Sequence, residues 1–277
     1  PEASFDEWGI GSVPTLYEIP DFKYHPLGPA TTVAEIDAYP WPDFDAPYRY
    51  EGVRTQVATF HKRGYAVCGE MYQTLFETAW PMRDLQAFLL DMMLNEELTH
   101  AICERIAQIR VGQARQYALA GVDILRLGDD IVSQLGLMFS KELYNTYFKP
   151  RIKRIVAAAK EVNPDIIIFM HSCGKIEGMI DELIDAGVEV LNPVQPECND
   201  QQAIKRTYGD RLSFWGGVGV QSVLPHGTPD EVRAATRKTI ATLGPENGFL
   251  VAPAHILDPA IPWENIEAFI ETVKEQR

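Results

Sequence analysis

The sharpest chemical signal in the chain is His171-Ser172-Cys173. Imidazole and thiolate are preferred zinc ligands, and a one-residue spacing lets both reach a single ion from one loop. His255, far along the chain, can close the same site from another strand end. Three protein ligands with an open fourth position is the arrangement of catalytic zinc. The bland alternative for the pair is a hydrogen-bonded histidine beside an ordinary buried cysteine. His255 likewise has two other readings, a metal-free general acid or base and an imidazole satisfied within the core.

Carboxylates accompany these residues. Asp129 and Asp130 are adjacent, so their side chains point in different directions. One of them can enter a pocket while the other caps a helix. Glu70 and Glu77 bracket the stretch Met71-Tyr72-Gln73-Thr74-Leu75-Phe76. That stretch reads as a pocket-lining loop with a carboxylate to offer as ligand or acid, and with Tyr72 facing substrate. Asn192 follows another apolar run, as a further substrate contact. Gly216-Gly217 would let a ligand approach the backbone closely. Neither the Walker spacing with its lysine nor a G-x-G-x-x-G opening a helix is present, which disfavours an ATP or nicotinamide enzyme. Cys68, Cys103 and Cys198 read as small buried or half-buried residues, with Cys103 packed on a helix. His25, His61, His100 and His226 show no partner pattern.

The elements that must position these residues alternate along the chain. Apolar β-prone runs at 65–68, 123–127, 166–170, 188–191, 212–215 and 249–251 are each followed by a helical pattern. Those patterns span 84–118, 141–161, 176–186, 200–207, 228–243 and 263–275. Thr228-Pro229-Asp230-Glu231 supplies an N-cap, a proline at the first helical position and acids in the first turn. Strand then helix, repeated, implies a parallel sheet covered by helices. The fold class expected is α/β, a (β/α)8 TIM barrel showing six of its eight units. Either two strands lie upstream of Pro1, or residues 1–60 supply irregular substitutes, or the sheet is open and doubly wound. The first option is favoured, with residues 1–277 forming one domain and 1–60 an irregular N-terminal segment. In a parallel barrel, the residues that follow the strands converge on one catalytic face. Here these are Gly69-Glu70, Gly128-Asp129-Asp130, His171-Ser172-Cys173, Asn192, Gly216-Gly217 and Ala252-Pro253-Ala254-His255.

Composition bounds the function. With 277 residues, 46% of them hydrophobic, the chain can build one large core. Its net charge of −14 repels nucleic acid and anionic membranes. No apolar run approaches the roughly 20 residues of a membrane span, and the polar, acidic opening carries no signal-peptide pattern. Four cysteines do not make a disulfide framework, so a reducing, cytoplasmic setting is expected.

Several stretches together resemble the uroporphyrinogen decarboxylase superfamily. They are Gly128-Asp129-Asp130, His171-Ser172-Cys173-Gly174, Phe214-Trp215-Gly216-Gly217-Val218, Gly227-Thr228-Pro229-Asp230-Glu231-Val232, Ala252-Pro253-Ala254-His255-Ile256 and Pro262-Trp263-Glu264-Asn265. Asp6-Glu7-Trp8-Gly9 and Thr74-Leu75-Phe76-Glu77 resemble its branch of corrinoid and coenzyme M methyltransferases. The resemblance implies a (β/α)8 barrel whose N-terminal portion precedes what is Pro1 here. It also implies that His171 and Cys173 match the zinc-binding pair of that branch. His255 stands where a distant cysteine would be, and Gly219 stands where an aspartate is often found. In the decarboxylases a histidine resembling His255 lines the porphyrinogen pocket, but their arginine-rich N-terminal motif is not found here.

Uroporphyrinogen carries eight carboxylates and calls for several basic side chains. The strand ends offer acids, His and Cys instead. The leading expectation is therefore a zinc-dependent methyltransferase. It would move a methyl group between a small methylated substrate, for example an O-methyl compound, and a corrinoid protein. His171, Cys173 and His255 would hold Zn²⁺, with Glu77 or Asp129 assisting. The alternatives are a metal-free decarboxylase in which His255 and Asp129 polarise a porphyrinogen-like acid, and a non-catalytic corrinoid-binding barrel. A second copy of the chain, as a homodimer, is a further candidate partner.

Overall fold

The structure, a computed structural model, describes residues 3–15, 21–246 and 248–275. Pro1 lies outside them. The chain forms two compact units, residues 1–129 with 139–168, and residues 130–138 with 169–277.

The first unit opens with three short antiparallel strands, β1 (Ser4–Phe5), β2 (Gly11–Val13) and β3 (Asp21–Tyr24). At two to four residues they are too short for alternation to show in the sequence. Helices α1 (Val33–Asp37) and α2 (Val53–Lys62) follow. The turn ahead of α1 is tied down by Arg83. Its Nη1 donates to the carbonyls of Leu27, Gly28 and Ala30, and its Nε donates to buried Asp91 at 2.7 Å.

Strand β4 (Cys68–Met71) begins where the first apolar run ends. Gly69 and Glu70 are therefore strand residues and not part of the following loop. Gly69 is needed because a Cβ there would sit 2.8 Å from the Tyr117 ring. Burial alternates along β4, which leaves Cys68 exposed instead of half-buried. Helices α3 (Phe76–Arg83), α4 (Leu85–Leu94) and α5 (Glu96–Ala120) come next. The single pattern at 84–118 is thus two helices. They part at Asn95, whose backbone leaves the helical region while its side chain donates to Asp91. Strand β5 (Ile124–Gly128) pairs parallel with β4, and Glu70 bonds across to Arg126. Helix α6 (Lys141–Leu143) runs through a π-helical turn, Tyr144–Phe148, into α7 (Lys149–Val162). Phe76, Phe88, Phe139 and Phe148 interlock with ring centroids 5.1–6.4 Å apart. Phe76, Phe88 and Phe148 are buried, and each contributes roughly 1.5–3 kcal/mol.

The second unit carries the remaining alternation. Strand β6 (Ile167–His171) enters it at Phe169. Then come α8 (Ile180–Asp185), β7 (Val190–Asn192), α9 (Gln201–Tyr208), β8 (Ser213–Val218), α10 (Val223–His226), α11 (Pro229–Leu243), β9 (Phe249–Pro253) and α12 (Trp263–Lys274). Strands β6 to β9 pair in parallel in chain order. Near-continuous apolar sequence buries β6 and β8 on both faces, as helix-covered strands require. The start of α11 has the capping box its sequence announces, with Thr228 and Glu231 bonded reciprocally. Val218, Leu224, Val232, Ile261 and Ala268 form the core between β8 and the last helices. Six parallel strands therefore match the six units of the sequence pattern.

Candidate metal centre

Pairing register places the chemistry. His171 is the last residue of β6 and lies opposite Asn192, the last residue of β7. His255 lies two residues beyond the end of β9. Side chains that the sequence separates widely are thereby delivered to one end of the second unit's parallel strands. His171, Cys173 and His255 each offer a ligand atom, and these atoms lie within 4.8 Å of one another. Cys173 Sγ is 3.4 Å from His171 Nε2, and the two imidazole rings stand 5.7 Å apart at 58°. Tetrahedral zinc, with bonds of about 2.0–2.3 Å, needs ligand atoms about 3.5 Å apart. The 3.4 Å pair meets that spacing as it stands. The donor set of two imidazoles and one thiolate also suits zinc.

The loop that presents Cys173 is braced on every side. Asp130 Oδ1 accepts from the Cys173 amide at 2.7 Å and lies 3.7 Å from His171 Nε2. Ser172 donates its backbone N–H to the Asn192 carbonyl, and its hydroxyl accepts from the Ile131 amide. Gly174 adopts φ +100° with the Val132 and Ser133 carbonyls 2.9 and 2.7 Å from where a Cβ would be, so only glycine fits. Gln195 Oε1 accepts from the Gly174 amide. Asn199 spans the turn, accepting from Ile176 N and donating to the Gly174 and Gln195 carbonyls. Gln195 and Asn199 carry no motif and were not legible as part of the site.

Gly216 and Gly217 lie inside β8, with φ of +125° and +90°. The space they leave was expected to admit a ligand. A Cβ at Gly216 would instead meet Pro193 O at 2.8 Å, and one at Gly217 would meet Thr239 and Leu243. The close approach is made by the protein's own chain. Asn192, expected to touch substrate, is 8% exposed and bonded to His171 and to Trp215. Cys198 stands outside the ligand group, with its Sγ beside the Gln195 carbonyl.

The other nominated residues belong to the first unit. Asp129 is fully buried, and its carboxylate accepts from the amides of Leu75 and Glu77 as α3 begins. It is a helix cap, while its neighbour Asp130 serves the Cys173 loop. The divergence expected of adjacent carboxylates thus resolves into these two jobs. Glu77 sits in the first turn of α3. Glu70 is ion-paired with Arg126 on a half-exposed strand face. Tyr72 lines a cavity of about 430 Å³ with Trp8, Tyr50, Arg110, Gln113 and Tyr117. Arg110 is buried, stacks on Trp8, and donates to the Thr74 and Gln73 carbonyls. Burial pushes its guanidinium down to about 10. Cys103 is buried in α5, and burial pushes its thiol up to about 12.

Burial raises Asp129 from the usual 3.8 to about 6, against the opposing pull of the amides and of Arg110. An aspartate whose folded pKa exceeds its unfolded one stabilises the fold while protonated. Its contribution is full below about pH 4 and is lost as pH rises through about 6, on the order of 3 kcal/mol in all. Urea titrations across pH 4–7 should show this downward slope in the native chain and its loss in Asp129→Asn. A stability that climbs with pH only when Asp129 is present would contradict the assignment.

A profile of the uroporphyrinogen decarboxylase (URO-D) family matches residues 17–276. The chain belongs to this family. Among similar curated proteins is the methylcobamide:CoM methyltransferase MtaA of Methanosarcina barkeri, 24% identical over 67% of this chain and 51% of that protein. The methylated-thiol–coenzyme M methyltransferase of Methanosarcina mazei is 26% identical over 65% of this chain and 46% of its own length. A uroporphyrinogen decarboxylase of Hydrogenobaculum sp. is 24% identical over 70% and 53%. The chain spans about half the length of the curated relatives it matches. A solved methyltransferase from Methanosarcina mazei superposes with a TM-score of 0.68, covering 93% of this chain and 72% of that one at 18% identity. The likeness shows the URO-D family fold, an α/β architecture of TIM-barrel type. No described helix is long and apolar enough to cross a membrane.

Proposed function

We propose that this URO-D family member is a zinc-dependent methyltransferase that moves a methyl group between a small methylated substrate and a corrinoid protein. The observation that carries the reading is the convergence of His171, Cys173 and His255 ligand atoms within 4.8 Å. The named relatives that are methylcobamide and methylated-thiol methyltransferases support it. Zinc bound there would act as a Lewis acid on the oxygen or sulfur that bears or accepts the methyl group. One thiolate and two neutral imidazoles would leave a bound zinc with net charge +1, which would favour an ionisable oxygen or sulfur group on the substrate.

The chain's own residues do the rest. His171, His255 and Cys173 would hold the metal, the two imidazoles through nitrogen and Cys173 through sulfur. Asp130 fixes the Cys173 backbone and sets its carboxylate beside His171. The methyl–oxygen or methyl–sulfur bond would break as the methyl group passes to the electron pair of the partner's reduced corrinoid, and the released heteroatom would take up a proton. A cytoplasmic setting fits a reduced thiol ligand.

Purified protein should carry about one zinc per chain and methylate a reduced corrinoid from at least one member of a panel of O-, N- and S-methyl donors, followed by the corrinoid's absorption spectrum. Metal-free protein that forms coproporphyrinogen from uroporphyrinogen would replace this reading with decarboxylation.

A further inference from the structure

A histidine binds metal well only when the correct ring nitrogen carries the lone pair, and a neighbour usually decides which one that is. His171 is buried at the end of β6, with Nδ1 2.5 Å from Asn192 Oδ1. The orientation of the Asn192 amide is itself determined. Its Nδ2 lies 2.6 Å from the Trp215 carbonyl oxygen, which can only accept. The amide nitrogen must therefore face Trp215 and the amide oxygen must face His171. An acceptor at 2.5 Å requires a proton on Nδ1. In the neutral ring the lone pair then sits on Nε2, the atom 3.4 Å from Cys173 Sγ.

We infer that Asn192 is a positioning residue that acts through His171, holding its imidazole in the Nδ1–H tautomer so that Nε2 faces the metal position. Gly216 completes the device. A Cβ there would stand 3.1 Å from Asn192 Nδ2 and 2.8 Å from Pro193 O, displacing the amide from its seat between ring and carbonyl. The cross-strand register of His171 with Asn192 supplies the alignment.

The purpose of this device rests on the metal reading above, but its geometry does not, and the test separates the two. Long-range ¹H–¹⁵N correlation spectra of the metal-free protein report the tautomer of each histidine, with His171 assigned by its loss in His171→Gln. The native chain should show Nδ1–H at His171. Asn192→Leu should show the Nε2–H form or a mixture, and its zinc dissociation constant by chelator competition should rise about ten- to a hundred-fold. Asn192→Asp forfeits the bond to Trp215 but keeps an acceptor toward Nδ1, and should retain the native tautomer. An Nε2–H His171 in the native chain overturns the inference outright, whether or not any variant folds. Unchanged tautomer and zinc affinity in Asn192→Leu overturn it too. Native Nδ1–H in a protein that binds no zinc would uphold the positioning and remove only the proposed function.

Discussion

Replacing Cys173 with alanine is expected to strip zinc from the protein and abolish methyl transfer while leaving the fold intact. In the proposed site Cys173 would supply the one anionic ligand, so its removal would leave only two imidazoles to hold a divalent ion. Partners one bond further out are worth about ten- to a hundred-fold in affinity, and a ligand lost from the metal itself should cost more than about a hundred-fold. The fold should survive because the loop is braced through backbone and neighbours. The Cys173 amide still bonds Asp130, and Gln195 and Asn199 still hold Gly174 and Ile176. Metal content by emission spectrometry, with circular dichroism for the fold, makes the measurement. Cys198→Ala is the control and should keep its zinc, since Cys198 stands outside the group. Equal zinc in native and Cys173→Ala protein would remove the metal centre from this location.

The second large effect concerns stability in the first unit. Arg110→Met should lower unfolding free energy by about 3–5 kcal/mol, or roughly 10 °C in Tm for a chain of this size. Arg110 is 4% exposed, and its guanidinium donates to the Thr74 and Gln73 carbonyls, the Gln113 side chain and the Thr78 hydroxyl. Methionine fills the volume but takes a donor away from each of those acceptors, and a buried bond left unmade is the expensive kind. It also withdraws the positive charge that favours ionised Asp129. Arg110→Lys should recover part of the loss, because an ammonium keeps the charge but cannot span the same fork of acceptors. Calorimetry of the three proteins gives the comparison. A drop below about 1 kcal/mol in Arg110→Met would show that the fork is replaceable by water.

The parallel architecture and the meeting of three candidate ligand side chains were legible in the sequence. The alternation of apolar runs with helical patterns gave six parallel strands, because burial on both faces leaves a near-continuous hydrophobic signature, as in Ile167–His171. The same logic placed His171, Cys173 and His255 together, because strand ends in a parallel layer face one way. It was less sure where strands lack that signature. β4 starts late because its Gly-Glu-Met stretch reads as a loop, and the split of α4 from α5 at Asn95 leaves no break in hydrophobic periodicity.

Tertiary structure alone decided which of two adjacent carboxylates does which job. Asp129 and Asp130 are chemically identical in sequence, and only the position of the α3 amides and the Cys173 amide separates a buried cap from a loop brace. It likewise decided that Gly216 makes room for Asn192 and Pro193, and that Asn192 serves His171 and Trp215. Such assignments depend on contacts a few ångströms long between residues distant in the chain. Hydrophobic periodicity records which face of an element is buried, but carries nothing about which polar atom it will meet there.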